Sequence, residues 1–242
     1  MAGEHEFIAA LRALATHPAA RGLADDAAVL EVGGATLVLT HDMLVEGVHF
    51  LPGDPPADVA WKLLAVNLSD LAAKGARPLG VLMGYTLSDP EWDHAFAGGL
   101  GTALSAFGIP LLGGDTVSAP AEAPRSFGLT AIGEANGPVP SRSGAVAGDH
   151  VWVSGSIGDA GAGLRILQGR LTGPSELSER YRSPRPRLEA GRRLSDLVSA
   201  MMDVSDGLLI DASRLAQASG AALSLDLGLV PLSDALLEAT GD

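Results

Sequence analysis

The sequence predicts an α+β fold in two parts, on three observations. Short apolar runs rich in Val, Leu and Ile alternate with segments whose apolar residues recur at helical spacing, which is the pattern of strands mixed with helices. Several of those strands lead into a turn that carries an Asp. A polar, glycine-containing stretch from residue 136 to 149 interrupts the pattern, so the chain reads as a mixed α/β domain over residues 1–137 and a second α/β domain over residues 138–242.

Taken in order, Glu6 to Leu14 has helical spacing, and a turn-rich segment leads to Ala24-Asp25-Asp26-Ala27. Ala35 to Leu39 is a β-rich run ending in Thr40-His41-Asp42, which puts Asp42 at a strand end; Glu46-Gly47 and Pro52-Gly53 mark turns. Asp58 is the candidate cap of a helix from about Val59 to Ala73, whose face of Ala60, Leu63, Leu64, Leu68 and Leu71 is interrupted by Asn67 and Asp70. Leu79 to Leu87 reads as a strand, and Asp89-Pro90 opens a helix to about Phe107. Gly108 to Leu112 then gives a short strand stopped by Gly113-Gly114-Asp115-Thr116, and Ser126 to Gly133 gives another.

Beyond the boundary, His150 to Ser154 reads as a strand. The loop after it carries Gly155, Gly158, Gly161 and Gly163 ahead of a helix ending near Gln168. Such a loop can turn backbone N–H groups toward an anion, and its small residues equally permit close helix packing. Thr172 to Pro186 is a polar segment with several arginines, followed by a helix to about Leu197. Ser199 to Met202 leads into Asp203-Val204-Ser205-Asp206-Gly207, a helix runs from about Leu208 to Ala218, Ala221 to Leu227 reads as a strand, and Ser233 opens a last helix.

Composition excludes whole classes of function. The 242 residues hold 16 Lys and Arg against 29 Asp and Glu, a net charge of −13, which argues against a nucleic-acid partner because phosphate backbones demand a basic footprint. With no cysteine there is no disulfide framework, thiolate zinc site, iron–sulfur cluster or cysteine nucleophile. No apolar run is long enough for a membrane span and no signal peptide is visible, so the expectation is a cytoplasmic protein without a membrane partner. Only Lys62 and Lys74 are lysines, and neither sits in a P-loop or a protein-kinase strand motif.

Asp26, Asp42, Asp70, Asp115, Asp203 and Asp206 each abut a strongly apolar stretch, where a carboxylate is costly to bury without a cation. Hard oxygen donors in a chain without cysteine favour Mg²⁺, which binds through one or two carboxylates and completes its shell with water and substrate phosphates. Aspartates from separate loops therefore suggest several Mg²⁺ ions clamping a polyphosphate, and a phosphoryl transfer that needs positioning and charge rather than a covalent or acid–base side chain. Any one of these residues alone serves equally as a helix cap or an Asx-turn; only the set points to a metal site. On spacing alone His49 reads as a loop histidine and Arg142 as a solvated charge, and Tyr181, Arg182, Arg185 and Arg187 read as a wet surface.

The segments ADDAAV (24–29), THDMLVEGVHF (40–50), KLLAVNLSDLAAKGARP (62–78), GGDT (113–116), SRSGA (141–145) and MDVSDGLLID (202–211) occur in this order. Together they resemble the thiamine-monophosphate kinase family, of the superfamily that includes aminoimidazole ribonucleotide synthetase. The resemblance implies ATP-dependent phosphorylation of thiamine phosphate by direct in-line transfer with several Mg²⁺ ions. It also implies an N-terminal domain whose sheet pairs across a homodimer, and a C-terminal α/β sandwich domain. Carried over by position, it makes Asp26, Thr40, Asp42, Asp70, Asp115, Asp203 and Asp206 metal ligands. His41 stands where the family has a second hydroxyl, so the ligand at this position is its backbone carbonyl or is lost. Gly114, Asp115, Arg142 and Ser205 would contact ATP, and His49 the thiamine phosphate. Family members continue with a Gly-Glu-Asp-Tyr-Glu-Leu motif and a late aromatic that this sequence lacks, so the second domain is expected to be truncated and the thiamine half of the site incomplete. Two other readings stand beside the kinase. One is another ATP-using enzyme of the superfamily, with selenide chemistry disfavoured by the lack of cysteine; the other is a noncatalytic nucleotide-binding or dimerisation module.

Overall fold

The computed structural model describes residues 2–120 and 122–241. After helix α1 (Ala2–Arg12), strands β1 (Ala28–Val32) and β2 (Ala35–Val45) form an antiparallel hairpin. Its two-residue loop is Gly33-Gly34, both at positive φ (59° and 88°), the backbone a tight hairpin requires. Helix α2 (Pro56–Ala73), β3 (Arg77–Leu87), α3 (Pro90–Phe107), β4 (Leu111–Ser118) and β5 (Ser126–Ala135) complete a five-stranded sheet of order β1-β2-β5-β3-β4. Strand β4 runs parallel to β3, as a strand returned by a helix does, and the other neighbours are antiparallel.

One face of this sheet is the core. Val38 and Leu44 of β2, Phe127, Leu129 and Ala131 of β5, and Val81 and Tyr85 of β3 close on α2, whose Leu63, Leu64, Leu68 and Leu71 have no exposed surface. Helix α3 lies against α2, and Gly99 permits the approach, since a Cβ there would overlap the backbone of Ala57. The opposite face leaves Met43, Leu82, Leu112 and Val117 exposed.

The remaining helices are α4 (Asp159–Leu167), α5 (Ser175–Arg182), α6 (Leu188–Leu194), α7 (Leu208–Ser219) and α8 (Asp234–Thr240). Both α5 and α6 pack on α2, so that one helix organises both halves. Among the described residues no helix is long and apolar enough to cross a membrane.

Several local expectations change. Asp42 and Asp115 lie inside β2 and β4 and not at strand ends, because pairing continues past both turn-like sequences. Pro55, not Asp58, is the N-cap of α2; Pro56 supplies a preset φ at the first helical position, and Asp58 falls in the first turn. Strand β1 arises between the turn-rich segment and the expected strand, where the sequence predicts no element, and helix α5 arises in the segment read as polar. Residues 150–154 and 221–227, read as strands, have no strand partner among the described residues, and Trp152 is 88% exposed. An apolar run makes a strand only where a neighbouring chain segment takes up its N–H and C=O groups.

Candidate metal and phosphate site

The pleat of β2 explains the first part of the site. Val38, Thr40, Asp42 and Leu44 alternate onto the core face, so two polar side chains point at α2 from between two buried apolar ones. On α2, Asn67 and Asp70 face them from within the apolar stripe. Asn67 Oδ1 accepts the Asp42 backbone N–H at 3.0 Å while its Nδ2 donates to the Leu63 carbonyl at 2.9 Å, so this buried amide is spent holding the strand to the helix. Thr40 Oγ1 bonds Asp70 Oδ2 and lies 3.3 Å from the Asp26 carbonyl.

Three carboxylates meet here from three separate segments. One oxygen each of Asp26, Asp70 and Asp203 lie within 4.8 Å of one another. Asp26 comes from the loop before β1, Asp70 from the last turn of α2, and Asp203 from the segment before α7. Burial, then the charges of Asp42 and Asp203, push the Asp70 carboxyl up to about 8. Burial and the charge of Asp26 raise Asp203 to about 6, and burial raises Asp42 against the opposing influence of His41 and His49.

These donors fit a hard divalent cation on their own chemistry. The oxygens repel one another, as a cluster short of positive charge must. Asp26 Oδ2, 2.9 Å from Lys74 Nζ, is the one buried side-chain polar atom among the described residues with no hydrogen-bond partner. Its other oxygen takes the Arg142 guanidinium, with Nε at 2.7 Å, so Arg142 is committed to the cluster and is not a solvated charge.

The other expected residues are arranged differently. The His41 side chain points to the opposite, exposed face of the sheet, where Nδ1 lies 2.8 Å from Thr130 Oγ1, because neighbours along a strand alternate. As a side-chain ligand to this cluster His41 is excluded. Asp115 is exposed on edge strand β4 and bonds its own Thr116 N–H at 2.9 Å. Gly84, its partner, pairs with Gly128, and Gly128 with Met43, so three strand spacings, roughly 14 Å, separate Asp115 from the residue beside Asp42. Gly114 is required by packing, since a Cβ would overlap the Met83 carbonyl oxygen.

Asp206 is exposed and paired with Arg214 outside the three-carboxylate group, and it borders an apolar cleft of about 520 Å³ lined by Leu209, Val230 and Leu232. The Ser205 N–H, with those of Asp206 and Gly207, donates to Asp211, which is buried and organises the turn into α7.

His49 accepts the Val45 N–H on Nδ1 at 3.0 Å, which leaves its Nε2 proton facing solvent. Beneath it, Lys62 donates to the His49 carbonyl at 3.3 Å and lies over the Tyr181 ring, 3.4 Å from its centroid. Burial lowers the Lys62 pKa to about 8. Arg182 pairs with Asp54 at 2.9 Å, so α5 is stapled to the His49 loop and Tyr181 and Arg182 do not lie on a free surface. Residue pattern missed Asp25, Lys62 and Lys74 as site components. The available signal was that the chain's two lysines both lie in an otherwise apolar stretch, Lys62 in α2 and Lys74 at its C-cap.

Comparison with known proteins places the chain in a family. Residues 24–135 match the family model described as AIR synthase related protein, N-terminal domain, and residues 146–240 match its C-terminal domain. Thiamine-monophosphate kinase of Salmonella typhimurium is 41% identical over 229 residues, covering 91% of this chain and 70% of the relative. The chain belongs to the thiamine-monophosphate kinase family. The structure of AaThiL complexed with AMPPCP and TMP superposes with a TM-score of 0.88 at 31% identity, covering 96% of this chain and 75% of that one. Thiamine-monophosphate kinase from Stenotrophomonas maltophilia gives 0.77 at 39% identity, covering 96% and 76%. The fold of this kinase family thus accounts for both halves of the chain.

Proposed function

We propose that this chain transfers the γ-phosphoryl group of ATP to thiamine phosphate, giving thiamine diphosphate and ADP. The observation that carries the reading is the convergence of Asp26, Asp70 and Asp203 from three segments, in a chain 41% identical to a thiamine-monophosphate kinase. Asp26, Asp42, Asp70 and Asp203 would hold Mg²⁺, with Thr40 orienting Asp70. The ions would neutralise charge on the transferring phosphoryl group. Arg142, held on Asp26, would add positive charge beside the phosphates of ATP. His49, through its free Nε2–H, would donate to the acceptor.

The acceptor is itself a phosphate, largely ionised near neutral pH, so its oxygen attacks without a general base. That supports direct in-line transfer with no covalent intermediate. The cytoplasm, where ATP is abundant, is the compartment this reading implies.

The expected result is thiamine diphosphate and ADP, resolved by chromatography, from ATP, Mg²⁺ and thiamine phosphate. No ADP above background overturns the kinase reading. AMPPCP binding by calorimetry in that case identifies a noncatalytic nucleotide module instead. Asp42→Asn should lower turnover by about 100-fold or more with the fold intact, because a neutral amide is a poor Mg²⁺ ligand.

Asp115 and Gly114 join this scheme through a homodimer. Within one chain Asp115 is too far from Asp42 to share an ion, but it sits on an edge strand beside the exposed apolar face of Met43, Leu82 and Leu112. A second copy covering that face would bury it and could deliver Asp115 to the partner's cluster. Leu82→Asp is expected to convert the protein from dimer to monomer in sedimentation; an unchanged sedimentation coefficient removes this face from the interface.

A further inference from the structure

Lys74 is the largest side chain in the described protein with no solvent exposure at all. It follows the last turn of α2, four residues after Asp70, and its backbone N–H bonds the Asp70 carbonyl at 3.1 Å. The ammonium nitrogen has three partners in two other segments. Asp25 Oδ1 lies at 2.5 Å and Asp26 Oδ2 at 2.9 Å, in the loop before β1. The Met201 carbonyl lies at 3.1 Å, two residues before Asp203. Arg21 backs Asp25 at 2.6 Å, and the Met201 N–H is tied to the Ser141 carbonyl at 3.0 Å, next to Arg142. One buried cation therefore touches, directly or through a neighbour, every segment that supplies a carboxylate to the three-Asp cluster.

We propose that Lys74 is a positioning residue: a resident ammonium behind Asp25 and Asp26 that supplies the positive charge by which their loop and the Asp203 segment stay together when no divalent ion is bound. This rests on the reading of Asp26 as a metal ligand. A buried ion pair is strongly destabilising when one partner is removed, because the charge left behind has neither water nor a counterion. Without Lys74, Asp25 keeps Arg21 and Asp26 keeps Arg142, but the inner carboxylate oxygens and the Met201 carbonyl lose their common partner. A divalent ion at the cluster then supplies compensation that wild type already has, and binding to the native state raises stability in proportion.

The test is Lys74→Met, an unbranched neutral side chain of comparable reach, melted in excess EDTA and in saturating Mg²⁺. The variant should melt several degrees below wild type in EDTA, and its Mg²⁺-induced rise in Tm should be about twofold larger than that of wild type or more. A variant unfolded in EDTA and folded in Mg²⁺ is the same result in stronger form. An unchanged Tm in EDTA, or a Mg²⁺ shift no larger than wild type's, overturns the role of Lys74. If Mg²⁺ does not shift wild type at all, the metal reading of Asp26 fails first and the inference falls with it. Should the variant be unfolded in both solutions, Asp25→Asn and Asp25→Asn with Lys74→Met are compared. The double variant must then show the larger Mg²⁺ shift, and an equal shift overturns the proposal.

Discussion

Replacing Asp70 by Asn is expected to remove most turnover while making the metal-free protein more stable. The amide keeps the shape of the carboxyl and a partner for Thr40, but it is a weak donor to Mg²⁺. A loss of about 100-fold or more, equivalent to about 2.7 kcal/mol of barrier, follows if this residue holds an ion at the phosphates. The stability change has the opposite sign. Burial and the neighbouring carboxylates hold Asp70 at about 8 in the fold, against about 3.9 for an unfolded Asp. A raised folded pKa contributes stability that is fully present below the unfolded pKa and is lost as pH rises through the folded one. Wild type and Asp70→Asn should therefore melt alike in EDTA near pH 4, and the variant should be ahead by a few kcal/mol at pH 9. Calorimetry across that range reads the gap directly. A gap that does not widen with pH removes the strain from Asp70, and turnover within a few-fold of wild type removes it from the reaction.

Gly191→Ala is expected to be among the most damaging methyl additions in the fold. Gly191 lies in α6 with its α-carbon against α2, where a Cβ would overlap the backbone carbonyl of Ala72. A backbone oxygen cannot swing aside as a side chain can, so the two helices must separate. The contact is also about one helical turn from Gly75, whose Cβ would overlap Ser195. Overpacking of this kind costs about 3 kcal/mol, which lowers Tm by about 6–12 °C in a protein of this size. Gly98→Ala is the control: it adds the same methyl to an exposed position in α3 with open space around it, and should stabilise by about 0.5–1 kcal/mol. Equal Tm values for the two variants would show that the α2–α6 contact does not limit stability.

The two substitutions separate two demands on α2. Its apolar stripe, the Asn67 amide that ties β2 to it and its contact with α6 assemble the molecule, whereas Asp70 within that stripe is buried at the expense of the metal-free fold. Strain of this sort, localised to a few carboxylates in an otherwise apolar core, is the usual signature of a binding function.

Much of this was legible in the residues. Periodicity identified α2, α3, α7 and strands β3 and β5, because each buries one regular face. The apolar neighbours of Asp26, Asp42, Asp70 and Asp203 marked them as carboxylates in need of a cation, since sequence alone records the company a charge keeps. Sequence could not decide which of the aspartates meet. Asp26, Asp70 and Asp203 do so because a loop, a helix end and a distant segment are drawn together on Lys74, whereas Asp115, in an equally suggestive motif, is carried three strands away by the order of the sheet. Nor could it tell that His41 and Asp42, adjacent in the chain, face opposite sides of a strand that continues through both. Local chemistry is written residue by residue, but distance between remote residues is set by strand order and by which helix packs on which, and only the folded chain decides those.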